Sequence, residues 1–182
     1  GAQKAAWMAA YRSEVANTVA NEHVQALLDM TTAFETIPHA ALVRTARKYK
    51  YNLALLSLSL AAYRMGPTVG IDAAQSGLMR ATRGITAGSG FATTELRILM
   101  QEVVMLTLAD WGSGVGLTLY VDDLTIETKG DIVGAAGRCA AAVDYICNML
   151  EKDMGFIVSE KKSVVVASHP MAAVAAANLS SD

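Results

Sequence analysis

The four residues Tyr120-Val121-Asp122-Asp123 constrain the fold more than any other stretch of the chain. They lie between two apolar runs, 115–121 and 124–126. In an extended run successive side chains point to opposite faces. The pattern therefore predicts two strands joined by a tight hairpin, with two carboxylates at its tip. Adjacent carboxylates repel each other, so the pair is a poor choice for stability. It is a good choice for a divalent cation, which takes oxygen ligands and needs negative charge to replace its water. Aspartates in a turn also have an ordinary explanation, because Asp tolerates turn geometry and bonds its own backbone. The metal reading needs support from elsewhere in the chain.

That support comes from Val24-Gln25-Ala26-Leu27-Leu28-Asp29-Met30-Thr31-Thr32-Ala33-Phe34. A mostly apolar stretch ends in a lone Asp, which predicts a buried strand delivering Asp29 at its C-terminal end. Two-metal nucleotidyl transfer needs carboxylates from separate strands, holding two ions about 4 Å apart. One ion activates an attacking 3′-hydroxyl and the other neutralises the leaving pyrophosphate.

Four blocks in order make the chain resemble the palm of a reverse transcriptase, over roughly residues 27–167. The first is Asp29-Met30-Thr31-Thr32-Ala33-Phe34, similar to the family's Asp-x-x-x-Ala-Phe/Tyr. The second is Arg83-Gly84-Ile85-Thr86-Ala87-Gly88-Ser89, similar to a glycine-containing template and nucleotide loop. The third is Tyr120-Val121-Asp122-Asp123, the most specific of the four. The fourth is Gly155-Phe156-Ile157-Val158-Ser159-Glu160-Lys161-Lys162-Ser163, similar to Gly-Leu-x-x-Asn-x-x-Lys-Thr. The flavour is closer to non-LTR retroelements than to retroviruses.

The resemblance implies an α+β fold: a polymerase palm whose antiparallel sheet is flanked by helices, with partial fingers and no thumb. It divides the chain into an N-terminal helical segment 1–23, a palm 24–167 and an Ala-rich tail 168–182. It implies an RNA-directed DNA polymerase that adds deoxynucleotides to a primer 3′-end with two Mg²⁺ ions, Mn²⁺ being a possible substitute. The implied partners are an RNA template, a DNA or RNA primer and deoxynucleoside triphosphates, with the remaining fingers and thumb supplied by a longer parent chain.

The same resemblance assigns roles. Asp29 and Asp122 become metal ligands, Asp123 an assisting ligand, and the Met30 backbone carbonyl a further oxygen donor. Phe34 stands where an aromatic ring lies beneath the sugar and excludes a 2′-hydroxyl by clash; a core phenylalanine is the alternative. Gly88 lets the backbone approach the nascent base pair, and Ser89 can bond phosphate or sugar. Ala87 stands where the family often has Gln, which removes a polar contact. Tyr120 is expected to pack under the hairpin near the primer end. Lys162 aligns with a lysine beside the leaving pyrophosphate, acting as charge or proton donor; a solvated strand-end lysine is the alternative, and Lys161 is its neighbour. Two rival readings are an RNA-directed RNA polymerase, which Phe34 argues against, and a non-catalytic remnant of a retroelement polymerase.

Composition bounds the answer. The chain has 182 residues, 53% of them apolar, which is ample for one core. A net charge of −2 is unusual for a nucleic-acid enzyme, because phosphate contacts come from Lys and Arg. That favours a palm-centred piece whose basic partners lie elsewhere. Cys139 and Cys147 have no zinc-type spacing and form no disulfide framework. A reduced, intracellular setting, cytoplasm or nucleus, is the default. The longest apolar run, 53–62, is too short to span a membrane. His23, His39 and His169 are isolated in sequence, and Trp7 and Trp111 read as packing residues.

Periodicity and punctuation predict helices over 3–19, 38–48, 52–63, 91–109 and 131–152. Pro38 suits a first turn, Asn52 is a cap, and Gly66-Pro67 is a breaker. Residues 68–83 predict a short hairpin turning near 73–77, and 84–90 a loop. Residues 156–158 and 163–166 predict strands. Gly112-Ser113-Gly114-Val115-Gly116 is not a dinucleotide fingerprint, since Leu117 stands where glycine is required.

Overall fold

Four antiparallel strands carry the site, and alternation along them decides which side is buried. In the computed structural model, which describes residues 2–18, 21–65, 70–71, 74–77, 80–86 and 88–179, the chain orders its elements as follows. Helix α1 (Ala2–Thr18) leads into β1 (Glu22–Leu28), a short α2 (Ala33–Thr36), α3 (His39–Lys48) and α4 (Leu53–Tyr63). A small hairpin, β2 (Gly70–Ile71) and β3 (Ala74–Gln75), precedes α5 (Ala92–Trp111). Then come β4 (Gly116–Tyr120), β5 (Asp123–Gly130), α6 (Ile132–Asn148), β6 (Val164–Ala167) and α7 (Pro170–Leu179). The main sheet has strand order β4-β5-β1-β6 with every pairing antiparallel. The fold is thus the expected mixture of helices and antiparallel sheet.

One face of the sheet presents Val24, Ala26 and Leu28 from β1 and Leu124, Ile126 and Thr128 from β5, all buried. Helix α6 packs there, on β1 and β5. Its inward residues are mostly small: Ala135, Ala136, Cys139 and Ala142, with Ile146. Small side chains let the helix lie close to the sheet, and the Thr128 hydroxyl donates to the Ala135 carbonyl at 2.8 Å. Helix α7 then packs on α6 with Ala172 and Ala176 fully buried, so much of the alanine-rich C-terminal stretch contributes to the core. Burial at this density is the main stabilising term.

The opposite face is open. It presents Gln25 and Leu27 from β1, Thr125 and Glu127 from β5, Thr118 from β4, and Val164 and Val166 from β6. Helix α1 lies across part of it, tied by Arg12, whose Nη1 donates to Glu127 Oε2 at 2.7 Å and to Thr118 Oγ1 at 3.1 Å. Glu127 is only 3% exposed, and Gln25 Nε2 also donates to it at 3.2 Å. A buried carboxylate is tolerated because it is paired and hydrogen-bonded.

Local chemistry explains several boundaries. Asn52 Oδ1 accepts from the N–H groups of Ala54 and Leu55, as its position at the start of α4 predicts. Asp131 Oδ1 likewise accepts from Gly134 N–H and starts α6. Pro38 sits at the N-cap of α3 rather than inside its first turn. The predicted 131–152 helix is shorter than expected: after Asn148 it widens into a π-type turn over Met149–Asp153, closed by the Met154 N–H to Met149 carbonyl bond. Only Val158 of the predicted strand 156–158 pairs, as an isolated bridge to Met30, while Phe156 is fully buried in the core. Gly112–Gly114 forms a 3₁₀ turn before β4. The expected Gly66-Pro67 break, the tip of the hairpin near Ala73, and Ala87 lie outside the described residues.

Trp7 and His39 depart from expectation. Trp7 is 67% exposed and stacks on Tyr11 instead of packing inside, whereas Trp111 meets Tyr145 edge-on. His39 is buried and bonded on both ring nitrogens, so it is not isolated. Among the described residues, no helix is long and apolar enough to cross a membrane.

His23 gives a pH test of this packing. It is 2% exposed, and burial pushes its pKa down, against the raising effect of Glu127 and with lowering by Lys129 and Arg12. The folded chain therefore binds this proton more weakly than the unfolded chain, whose value is near 6.5. Its contribution to stability is full above that pH and is lost as pH falls through it. We expect Tm to fall further between pH 7.5 and 5.5 in the native chain than in His23→Phe. Equal acid sensitivity in the two proteins, by calorimetry, would remove His23 as the cause.

Candidate active site

The site is built at the end of the sheet where β1 stops and the β4–β5 hairpin turns. Tyr120 pairs with Asp123, leaving Val121 and Asp122 as a two-residue turn. Val121 has φ 59°, a left-handed conformation that β-branched residues rarely adopt. A tight hairpin needs a positive φ at its first central position or both, and glycine would supply it without strain. Backbone strain of this kind costs about 1–3 kcal/mol and persists where surrounding structure enforces it. Here both flanking strands are locked into the sheet, and the strained residue holds Asp122 at the tip.

Register brings in the third carboxylate. Leu28 lies opposite Leu124, so continuing by one residue puts Asp29 opposite Asp123. Alternation places both on the open face, in line with Leu27 and Thr125. The Asp29 backbone is held from the other side by the 159–163 segment. The Asp29 N–H donates to Ser163 Oγ at 3.2 Å, and its carbonyl accepts from Ser159 N–H at 2.8 Å. Thr31 N–H reaches the Ile157 carbonyl at 2.8 Å. Those two ladder bonds flank the Met30–Val158 bridge as a non-hydrogen-bonded pair. Met30's own carbonyl therefore points away from residue 158, toward the side on which β5 ends. Ser159 and Ser163 stand at the Asn and Thr positions of the fourth block. The structure gives both a task, fixing the strand end that presents Asp29.

Electrostatics agree with the geometry. The Asp123 carboxyl is pushed above its ordinary range by burial first, then by the negative charges of Asp122 and Asp29. Asp29 Oδ2 is buried without a hydrogen-bond partner. Lys162 Nζ lies 3.6 Å from that oxygen, with the lysine side chain 69% exposed. The two partly exposed groups form a weak pair, and the ammonium only partly offsets three clustered carboxylates. A groove of about 410 Å³ is lined by Asp29, Tyr120, Asp123 and Lys162, with Ala6 and Ala9 of α1 on its rim. Tyr120, expected under the hairpin, is instead 40% exposed and forms part of this groove wall.

The donors fit a hard divalent cation: three carboxylates, one with an orphaned buried oxygen, and a free-facing backbone carbonyl. Among the described residues, no group of three or more His, Cys, Asp or Glu side chains stands close enough together to hold a metal ion. Asp122 stands at the tip and does not line the groove itself.

The other expected residues form a second cluster. Phe34, on α2, is half-buried against the core, and its carbonyl accepts from Ile85 N–H at 2.7 Å. Gly84 N–H donates to the Ile37 carbonyl at 2.8 Å, and Pro38 bridges to Arg83. Segments 34–39 and 82–85 thus run side by side, tying the aromatic to the loop of Gly88 and Ser89. A Cβ on Gly84 would come within 3.1 Å of the Glu35 carbonyl oxygen, and its φ is +94°, so glycine is required twice over. Gly88 has φ +87° and open space where a Cβ would stand. Ser89 Oγ lies 3.0 Å from Tyr63 Oη, which lies 2.8 Å from Glu95 Oε2. One phenol carries one proton, so Ser89 donates to Tyr63 and Tyr63 donates to Glu95. Glu95 is fully buried in the first turn of α5, where the helix dipole favours an anion. Sequence reasoning missed both Tyr63 and Glu95, which fix the orientation of Ser89. Only a buried carboxylate at the start of an apolar helix could have signalled them.

Comparison with known proteins gives a consistent picture. The family described as reverse transcriptase (RNA-dependent DNA polymerase) matches residues 3–174. No curated protein sequence matches. Among solved structures, apo telomerase from Candida tropicalis truncated from its C-terminal domain is similar with a TM-score of 0.66 and 15% identity, over 93% of this chain and 35% of that one. Telomerase from Candida albicans in complex with a TWJ fragment of telomeric RNA gives a TM-score of 0.63 and 14% identity, over 91% and 31%. The corresponding Candida tropicalis complex gives 0.68 and 15%, over 93% and 30%. The chain therefore spans about a third of the length of these telomerases. At such identities the likeness is one of fold.

Proposed function

The chain belongs to the reverse transcriptase (RNA-dependent DNA polymerase) family, and we propose that it is the palm of an RNA-directed DNA polymerase. The observation that carries this reading is that Asp29, just past the end of β1, and Asp122 and Asp123, at the β4–β5 turn, lie at the same end of the sheet, with Asp29 and Asp123 on its open face. Asp29 and Asp122 would hold two Mg²⁺ ions, with Asp123 and the Met30 carbonyl assisting; Mn²⁺ has the same oxygen preference. When bound, such ions lower the pKa of a primer 3′-hydroxyl and neutralise a departing pyrophosphate.

The protein groups do the positioning. Strand β1, pinned by Ser159 and Ser163, fixes Asp29. The strained turn at Val121 fixes Asp122. Lys162, reaching over Asp29, places a positive charge where pyrophosphate would leave. The Tyr63–Glu95 pair takes the Ser89 hydroxyl proton and fixes its oxygen, whose remaining lone pair would accept from an incoming nucleotide, and Gly88 leaves space for its base pair. Phe34 then selects deoxynucleotides by excluding a 2′-hydroxyl. The partners of this reading are an RNA template, a DNA or RNA primer and deoxynucleoside triphosphates. The four sequence blocks extend the proposal to a retroelement of the non-LTR kind. The net charge of −2 favours a longer parent protein that supplies the basic surface gripping the duplex.

Primer extension on an RNA template with Mg²⁺, using the intact protein that carries this chain, tests the reading. Addition of deoxynucleotides is the expected result. Extension with ribonucleotides alone would replace it by an RNA polymerase. Absence of any extension in the intact protein would favour a non-catalytic remnant.

A further inference from the structure

A second cavity, of about 890 Å³, lies between α3, the end of α4 and residues 80–82. Its wall carries Arg44, Arg47, Arg64 and Arg80. Arg44 and Arg47 share one stripe of α3 with Ala40 and Val43, at the three- and four-residue spacing that aligns side chains on a helix. Arg64 caps α4, and Arg80 faces them from the other wall. No Asp or Glu lines the cavity, and among the described residues none of the four guanidiniums has a carboxylate oxygen within 4.0 Å. Among the described residues, the Arg44 guanidinium donates to a backbone carbonyl, that of Asp153.

This is a marked departure for the chain. Four of its 15 basic residues meet in one concavity, though its net charge is −2. Unpaired like charges facing one another disfavour the folded state, and an anion in the cavity relieves them. Guanidinium forks match phosphate oxygens in pairs.

The cavity is also wired to the proposed nucleotide loop. Arg64 Nε–H donates to His39 Nδ1 at 3.4 Å, so the ring proton sits on Nε2 and is donated to the Gly84 carbonyl at 2.7 Å. The His39 backbone N–H meets the Thr82 carbonyl at 3.1 Å. The arginine wall therefore continues directly into the segment that leads to Gly88 and Ser89.

We propose that this cavity binds consecutive phosphates of a single-stranded RNA as the strand approaches the nucleotide loop. The identity of the strand rests on the polymerase reading; the anion chemistry does not. Four guanidiniums spread over two walls suit several phosphates in a row better than one free phosphate. Arg64 has a positioning task as well, through His39.

The test is equilibrium binding of a short labelled single-stranded RNA by fluorescence anisotropy, in the intact protein, without nucleotides. Polymerase activity is not needed for the signal, so failure of the catalytic reading cannot mimic failure here. The variant Arg44→Gln/Arg47→Gln/Arg80→Gln spares Arg64. It should bind RNA at least about tenfold more weakly and flatten the log–log salt slope by about 2, since each single-strand phosphate contact contributes about 0.7. The charge-matched control Lys4→Gln/Arg97→Gln/Lys152→Gln should stay within about twofold of the native protein. Equal weakening in the control would make the effect one of bulk charge and overturn the site. Unchanged RNA affinity in the arginine variant, with loss of inorganic phosphate binding by calorimetry, would overturn the strand assignment in favour of a free-phosphate site.

Discussion

Asp29→Asn and Asp122→Asn should each reduce primer extension by about 1,000-fold, through kcat rather than through primer–template affinity. The magnitude follows from charge stabilisation in phosphoryl transfer: removing one preorganised donor costs about 10²–10³ in rate, and a ligand shared by two cations costs at least as much. The fold should survive. Asp29 is fixed through its backbone by Ser159 and Ser163, contacts that asparagine keeps. Its side chain makes only a 3.6 Å contact with a largely exposed lysine, which contributes little. Removing one of three crowded carboxylates also lessens repulsion, so Tm without divalent ion should stay level or rise slightly. Single-turnover extension and calorimetry on the same preparations separate the effects. Full activity in either variant would remove that aspartate from the metal site. Lost activity with a collapsed Tm would show a structural role instead.

This site was legible in the sequence because its signals are local. A carboxylate at the end of an apolar run, and two more between apolar runs, announce strand ends and a turn without knowledge of the partners. The α+β class came with the resemblance carried by the four blocks, and Asn52 announced the start of α4 by its own side chain. What stayed hidden depends on contacts distant in sequence. Ser159 and Ser163 matter only because β1 ends beside them, 134 positions away in the Asp29–Ser163 bond. Nothing in the sequence singled out Glu95, and its burial appears only once Tyr63 and α5 are packed together. Tyr120 was expected under the hairpin near the primer end, and its pairing with Asp123 places it on the open face. The alanine-rich stretch 170–179 carries no periodic signal strong enough to show which side faces α6; small residues on every side make such a helix silent in sequence and useful in close packing. The arginine cavity was equally hidden. Arg44, Arg47, Arg64 and Arg80 are spread over three segments, and net charge averages them away.

Phe34 offers the other large effect, on selectivity instead of rate. Phe34→Ala should raise ribonucleotide relative to deoxyribonucleotide incorporation by about 10–100-fold, because a steric contact of this kind is worth about 1–3 kcal/mol of discrimination. The ring is half-buried and packed on the core, so the same change should cost about 2 kcal/mol of stability, less than the full cost of a buried phenylalanine. For a chain of this size that is a Tm loss of about 4–8 °C. Two consequences from one side chain would be ambiguous, and Phe34→Leu resolves them. Leucine keeps most of the packing volume but shortens the reach of a flat ring. If Phe34 acts beneath the sugar, the leucine variant should regain most of the lost Tm while remaining permissive toward ribonucleotides. If selectivity recovers in step with Tm, or never changes in either variant, Phe34 serves the core alone. The backbone argues for the first outcome: the Phe34 carbonyl is held by Ile85 N–H, so truncating the side chain leaves the ring's position empty without releasing the loop that carries Gly88 and Ser89. A selectivity change would then arise from the vacated space itself, since Gly88 and Ser89, the residues proposed to face the nucleotide, stay where they were.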